Sequence, residues 1–161
     1  MAASVIPKVK RDGLITLTDG TSTYTVSYED GDLSFDKTKT SRVVIRDRGV
    51  IVGVRKGEDA VLSLSFSVHM RDFTDATSLN LIDVLDNTGA ASTWTTTGGS
   101  GFEQFMLTTS LTVEGDSHGD TADAVATFSK CLYEWSFSEG DPNKVSCKAE
   151  IYGGITFTGQ A

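Results

Sequence analysis

The sequence predicts an all-β fold, an antiparallel β-sandwich or barrel with one short flanking α-helix. Three observations carry that prediction. Apolar residues alternate with polar ones over several long stretches. The 161 residues include 21 Thr and 17 Ser, types that suit pleated strands with one wet face. Helical spacing occurs in one segment only.

Met1 to Lys10 reads as a loose N-terminal arm. Leu14–Thr18 and Thr23–Tyr28 alternate about the turn Asp19-Gly20-Thr21-Ser22 and predict a β-hairpin. Asp30-Gly31-Asp32 is a second turn before a short strand through Leu33 and Phe35. Residues 36–48, DKTKTSRVVIRDR, hold five cations and two Asp and form an extended basic loop or hairpin. Val43–Ile45 has strand character, Gly49 permits a turn, and Val50–Val54 is apolar. Lys56-Gly57-Glu58-Asp59 has turn chemistry.

Ala60–Met70 is the clearest strand. Leu62, Leu64, Phe66, Val68 and Met70 share one face, and Val61, Ser63, Ser65, Ser67 and His69 share the other. The first face predicts core, and the second predicts a wet surface or cavity. The helix is expected at Ser78–Asp86, capped by Thr77 or Ser78 and ended by Gly89. Ala90–Gly101 is a Thr/Ser/Gly-rich loop or open hairpin with Trp94 inside. Strands follow at Glu103–Glu114, Ala124–Leu132, Tyr133–Ser138, Val145–Tyr152 and Ile155–Thr158, for nine or ten in all. No repeat or linker interrupts residues 1–161, which read as one domain.

Composition excludes several function classes. The longest apolar runs are far too short for a membrane helix, so no membrane partner is expected. No N-terminal stretch has signal-peptide character, which argues against secretion by that route. The net charge of −8 disfavours general nucleic-acid binding. The charge is uneven: residues 1–60 carry ten Lys/Arg against nine Asp/Glu, and residues 61–161 carry four against thirteen. Such a division suits self-association between unlike surfaces.

No catalytic pattern emerges. The chain lacks a phosphate-loop motif and a G-x-S-x-G elbow, and it reads as a non-enzyme with no cofactor. Cys131 and Cys147 read as reduced thiols in strands. A zinc site would need them to converge with His69 and His118, without the short ligand spacings of structural zinc. Glu114–Asp123 holds four acids and His118, but its spacing is not that of an EF-hand, so it reads as a solvated acidic loop. Aromatic residues do not interleave with the cations of 37–48, which points to a protein contact rather than to base stacking.

The order of several segments resembles the tail tube (major tail) proteins of long-tailed bacteriophages. They are Arg46-Asp47-Arg48-Gly49, Gly53-Val54-Arg55-Lys56-Gly57-Glu58-Asp59, Leu62-Ser63-Leu64-Ser65-Phe66, Asn87-Thr88-Gly89-Ala90-Ala91-Ser92-Thr93-Trp94 and Ser138-Glu139-Gly140-Asp141. The resemblance spans residues 10–158. It implies a β-sandwich with a flanking helix, six copies of which close a ring through a shared inner barrel. Stacked rings form the tube of the virion tail, built in the host cytoplasm. The implied partners are the chain itself, a tape-measure protein, a tail terminator and tail-tip proteins. DNA would pass through the lumen without specific binding. Within that frame Lys37, Lys39, Arg42, Arg46 and Arg48 are candidate interface residues, because a loop or hairpin in this part of the family's chain reaches a neighbouring subunit or ring. Ser63, Ser65, Ser67 and His69 are the candidate lumen face. A second expectation is a carbohydrate- or receptor-binding β-sandwich, in which an exposed Trp94 stacks on a sugar ring.

Overall fold

The computed structural model describes residues 7–9, 12–26, 31–37 and 41–159. Within them the chain runs β1 (Gly13–Thr18), β2 (Thr23–Thr25), β3 (Ser34–Asp36), β4 (Arg42–Asp47), β5 (Val50–Lys56), β6 (Leu62–His69), α1 (Leu81–Asp86), β7 (Leu107–Val113), β8 (Ala124–Ser138), β9 (Lys144–Ile151) and β10 (Ile155–Thr158). Single 3₁₀ turns lie at Gly89–Ala91 and Asp116–His118. The fold is all-β with one short flanking helix, as the alternation and the Thr/Ser content predict.

Eight strands form one antiparallel sheet in the order β2-β1-β7-β8-β9-β6-β3, with β10 paired to β8. The strands expected at 124–132 and 133–138 are one strand of 15 residues. Its two halves serve different neighbours. Ala124–Phe128 pairs with β7 on one edge, and its Val125–Phe128 stretch with β10 on the other, whereas Cys131–Ser138 pairs with β9. Lys130 sits between them with φ +55°, and the β7 register slips between Leu107 and Thr109. Such a bulge bends a strand and sharpens its twist. The sheet therefore rolls over β8 and brings β3 back beside β10. The Phe35 ring meets Phe128 edge-on at 5.0 Å and lies 6.1 Å from Phe157.

The core lies inside this roll. Ile15 and Leu17 come from one layer, Leu64, Phe66 and Val68 from β6, and Val145, Cys147, Ala149 and Ile151 from β9. Strand β9 alternates buried and open residues over its whole length, the signature of a half-buried strand.

The helix is shorter than its sequence pattern suggests. Its N-cap is Asn80, whose side chain accepts from the Asp83 N–H, not Thr77 or Ser78. Thr77 and Ser78 instead donate their N–H groups to Asp75 in the preceding turn. Asn87, not Gly89, ends the helix in the left-handed conformation. Asp83 is fully buried, and Asn80 Nδ2, Thr88 Oγ1 and the Asp75 N–H all donate to its carboxylate. Gly89 (φ +54°) permits that cluster, since a Cβ there would fall 2.4 Å from Asp83 Oδ2.

Candidate assembly surface

Strands β4 and β5 form a two-stranded sheet of their own, separate from the main sheet. The loop expectation for 36–48 is thus resolved into strand for Arg42–Asp47, as Val43–Ile45 suggested. The turn is Asp47-Arg48-Gly49-Val50, with Arg48 at φ +48° and Gly49 at φ +83°. Two successive positive φ values match the twist of a tight hairpin. Val52 has no partner across the irregularity between Ile45 and Arg46. At the base, the Gly57 N–H donates to the Ser41 carbonyl at 2.5 Å and the Glu58 N–H to Ser41 Oγ at 2.7 Å.

An isolated two-stranded hairpin is marginal in water unless something covers a face. Among the described residues, no apolar side chain of this hairpin belongs to the core or packs against it. Val50, Val52 and Val54 are 66%, 61% and 59% exposed, and Val43, Val44 and Ile51 are also open. Arg42, Arg46, Arg48, Arg55 and Lys56 outnumber Asp47 by four charges. The remainder of the chain then carries −12, from the total of −8. The hairpin is therefore both apolar and basic, and it projects from an acidic body.

The predicted interface residues divide as follows. Arg42 and Arg46 lie on β4 and Arg48 at the tip, all exposed. Lys37 stands apart, with Nζ 4.8 Å over the Phe157 ring. Lys39 lies outside the described residues. The sequence did not single out Arg55, Lys56 or the valines as interface residues, although the apolar run Val50–Val54 is legible in it.

The Ser face of β6 is less uniform than its alternation implies. Ser63 is exposed, while Ser65 and His69 are partly open. Ser65 Oγ lies 3.2 Å from Ser34 Oγ. Ser67 is buried, a correction to the wet-face expectation. Asp32 covers it, accepting from the Ser67 N–H at 2.9 Å and from its hydroxyl. The register continues this face across the sheet, from Ser65 to Lys148 to Glu134 and from Ser63 to Glu150. A shallow cavity of ≈ 290 Å³ lies on it, lined by Ser34, Asp36, Ser65, Glu134 and Lys148 among others.

Three further expectations change. Trp94 is 6% exposed and belongs to the core, so it offers no face to a sugar. The 114–123 loop is more than a solvated run of acids. Asp123 accepts from the Gly115 and Asp116 N–H groups, which, in that order, hold its carboxyl below the usual range. Asp120, with a side chain 5% exposed, pairs with Lys8, so this part of the arm is anchored rather than loose. His118 Nε2 lies 3.4 Å from Asp12 Oδ1. Among the described residues no group of three or more His, Cys, Asp or Glu is placed to hold a metal. Both cysteines are buried free thiols. Burial pushes Cys131 up to about 11 and, with Asp32 adding to it, Cys147 up to about 12. No described helix is long and apolar enough to cross a membrane.

No family model and no curated protein matches the sequence. The fold does match solved structures. A chain in the cryo-EM structure of an extracellular contractile injection system, the PVC sheath/tube terminator in its extended state, superposes with a TM-score of 0.63 at 10% identity. The match covers 98% of this chain and 100% of that one. A chain of the anti-feeding prophage (AFP) baseplate, 6-fold symmetrised, gives a TM-score of 0.56 at 10% identity over 99% and 98% of the two chains. At that identity the likeness is one of fold.

Proposed function

We propose that this chain is a structural subunit of a phage-tail-like tube, six copies forming a ring and rings stacking into a hollow conduit. The observation that carries the reading is the β4–β5 hairpin. Among the described residues its open valines have no cover, Lys56 alone of its cations has an ion pair, with Asp59, and a copy of the acidic body would supply both apolar area and counter-charge. The two fold matches come from injection-particle structures, one of a sheath/tube terminator and one of a six-fold symmetrised baseplate, which supports a place in such a particle. The role is the major tail protein, assembled in the cytoplasm, with DNA passing through the lumen. Tape-measure, terminator and tail-tip proteins are its other partners. Chemistry is not part of this role.

Lys37, Lys39, Arg42, Arg46 and Arg48 act in the contact between subunits. The open part of the β6 face, Ser63, Ser65 and His69, lines the lumen. Each exposed ion pair contributes roughly 0.2–1 kcal/mol, so the contact depends on several acting together along a repeating tube. Negative-stain microscopy of the purified chain tests the reading. Rings or tubes are expected from the wild type, and a folded chain without tubes from Arg42→Glu/Arg46→Glu. Normal tubes from the double variant at moderate salt would reduce the stretch to a solvated element.

A further inference from the structure

The hairpin needs a receiving surface, and the chain carries one at its opposite end. β3 ends at Asp36, opposite Ser63, so the hairpin leaves and rejoins the body at the Leu62 end of β6. β6 ends at His69, opposite Lys144, which also pairs with Ser138 at the end of β8. These two ends lie roughly 23 Å apart, seven strand steps along β6.

At the His69 end, Phe73, Phe137 and Leu79 are 49%, 40% and 39% exposed. The rings of Phe73 and Phe137 pack against each other at 5.5 Å. Asp72 and Glu139 flank them in sequence, and both are exposed. Asp86 is held there by Trp135, whose Nε1 donates to its carboxylate at 3.0 Å. Beside them opens a cavity of ≈ 290 Å³ whose lining includes Tyr24, Met70, Leu79, Asp72 and Asp75. Arg71 and Lys144 also lie at this end, already engaged within the chain.

We propose that the hairpin tip of one copy seats on this Phe73–Phe137 end of the next copy, a head-to-tail contact that rests on the tail-tube reading above. Val50 and Ile51 meet Leu79 and the two Phe rings, and Arg48 meets Asp72. Each surface supplies what the other lacks: exposed apolar area on both, positive charge on one, negative charge on the other. The open face of β6, β9 and β8 is a poorer receiver. Its strand residues include none of the large exposed hydrophobics, Val61 standing just before β6, and its charges are mixed, with Lys148 set among Glu134 and Glu150. A donor at one end and a receiver at the other make a heterologous contact, which propagates into an open filament when it does not close.

Cysteine pairing tests the contact in the full-length chain, under conditions in which the wild type assembles. Val50→Cys/Leu79→Cys is compared with Val50→Cys/Ser65→Cys after mild oxidation. The native thiols stay silent because both are buried. Each chain of the first variant has one donor and one receiver, so non-reducing gels are expected to show a ladder of covalent multimers. The Ser65→Cys combination is expected to show none. A ladder from Ser65→Cys alone would overturn this receiver while leaving hairpin docking intact. Tubes without either ladder overturn the proposal. Ladders without tubes retain the contact and sink the tail-tube reading. A charge exchange serves where cysteines impair folding. Arg48→Asp is expected to raise the concentration needed for assembly about tenfold, and Arg48→Asp/Asp72→Arg to restore it. No recovery in the exchanged chain counts against the pairing.

Discussion

Replacing Val50, Val52 and Val54 together by Thr separates folding from assembly. Val and Thr have similar shape and strand preference, so the hairpin keeps its backbone. The three valines are 66%, 61% and 59% exposed, so the isolated chain loses little by the change. Surface substitutions of this kind stay within about 0.5 kcal/mol each. In the proposed contact the same positions are covered. Fully burying a Val contributes about 1.5–3 kcal/mol, and the open fraction here is near three fifths, which leaves about 1–2 kcal/mol per residue. Three residues then contribute about 3–5 kcal/mol per contact, or between two and four decades in equilibrium constant. The assay has two arms. Thermal melting of unassembled chain should shift by no more than a few degrees. Sedimentation against concentration should show assembly displaced by at least a hundredfold. Melting lowered as for a core substitution would mean that the hairpin packs on its own body. Assembly at the wild-type concentration would mean that nothing covers it, and the reasoning fails either way.

Phe66 is 3% exposed while Ser65 is partly open, so Phe66→Ala should cost about 3–5 kcal/mol and Ser65→Leu less than about 1 kcal/mol; equal loss of melting temperature would refute the face assignment of β6. The Gly115 and Asp116 N–H groups depress the Asp123 pKa in the folded state. Its contribution is therefore present above the unfolded carboxylate's pKa, about 3.9, and is lost as pH falls through the lower folded value. Asp123→Asn should lower melting temperature at pH 6 and narrow its gap to wild type below pH 4; an undiminished gap at pH 2 would assign the effect to shape instead. Cys131 and Cys147, pushed up to about 11 and about 12, should resist alkylation at pH 8 until the chain unfolds; rapid labelling of the native protein would show that the roll over β8 opens readily.

What the sequence made legible follows from how local each determinant is. The β1–β2 hairpin was readable because Asp19-Gly20 sits between two alternating runs, and its turn uses those residues: Asp19 Oδ1 accepts from the Thr21 and Ser22 N–H groups. β9 and the apolar face of β6 were readable for the same reason. The N-cap at Asn80 was not, because Thr77 and Ser78 are equally good caps by type, and Asp75 had claimed their N–H groups. Ser67 and Trp94 were misplaced because burial is decided by segments distant in sequence. Asp32 covers Ser67, and the core closes around Trp94. Asp83 looked like any polar helix residue; its burial depends on Gly89 admitting the backbone of Thr88–Gly89 against it. The candidate assembly surface was half legible. Its cations stood out as a run, whereas its apolar half read as ordinary strand. Alternation shows that a residue belongs to a strand, but not whether a second sheet lies over it.

That last ambiguity bears on why the hairpin is built as it is. A body that depended on β4 and β5 for its core would couple every interface substitution to folding. Here the two ends of the hairpin are pinned to each other at Ser41, Gly57 and Glu58, where a Cβ on Gly57 would fall 2.3 Å from Ser41 Oγ and 2.8 Å from its carbonyl oxygen. That close fit closes the hairpin on itself, and among the described residues its apolar side chains have no core contact. The body's strands pair with one another and not with the hairpin, Gly13 with Val113 and Leu62 with Ile151 for example, so the hairpin's apolar area stays open. Exposed strand edges of this kind carry a risk of unordered pairing. The five cations temper it, because two free hairpins repel each other while each is drawn to the acidic body of another copy. In the proposed contact, charge would thus select hairpin-to-body over hairpin-to-hairpin association, and the valines would then supply most of its strength.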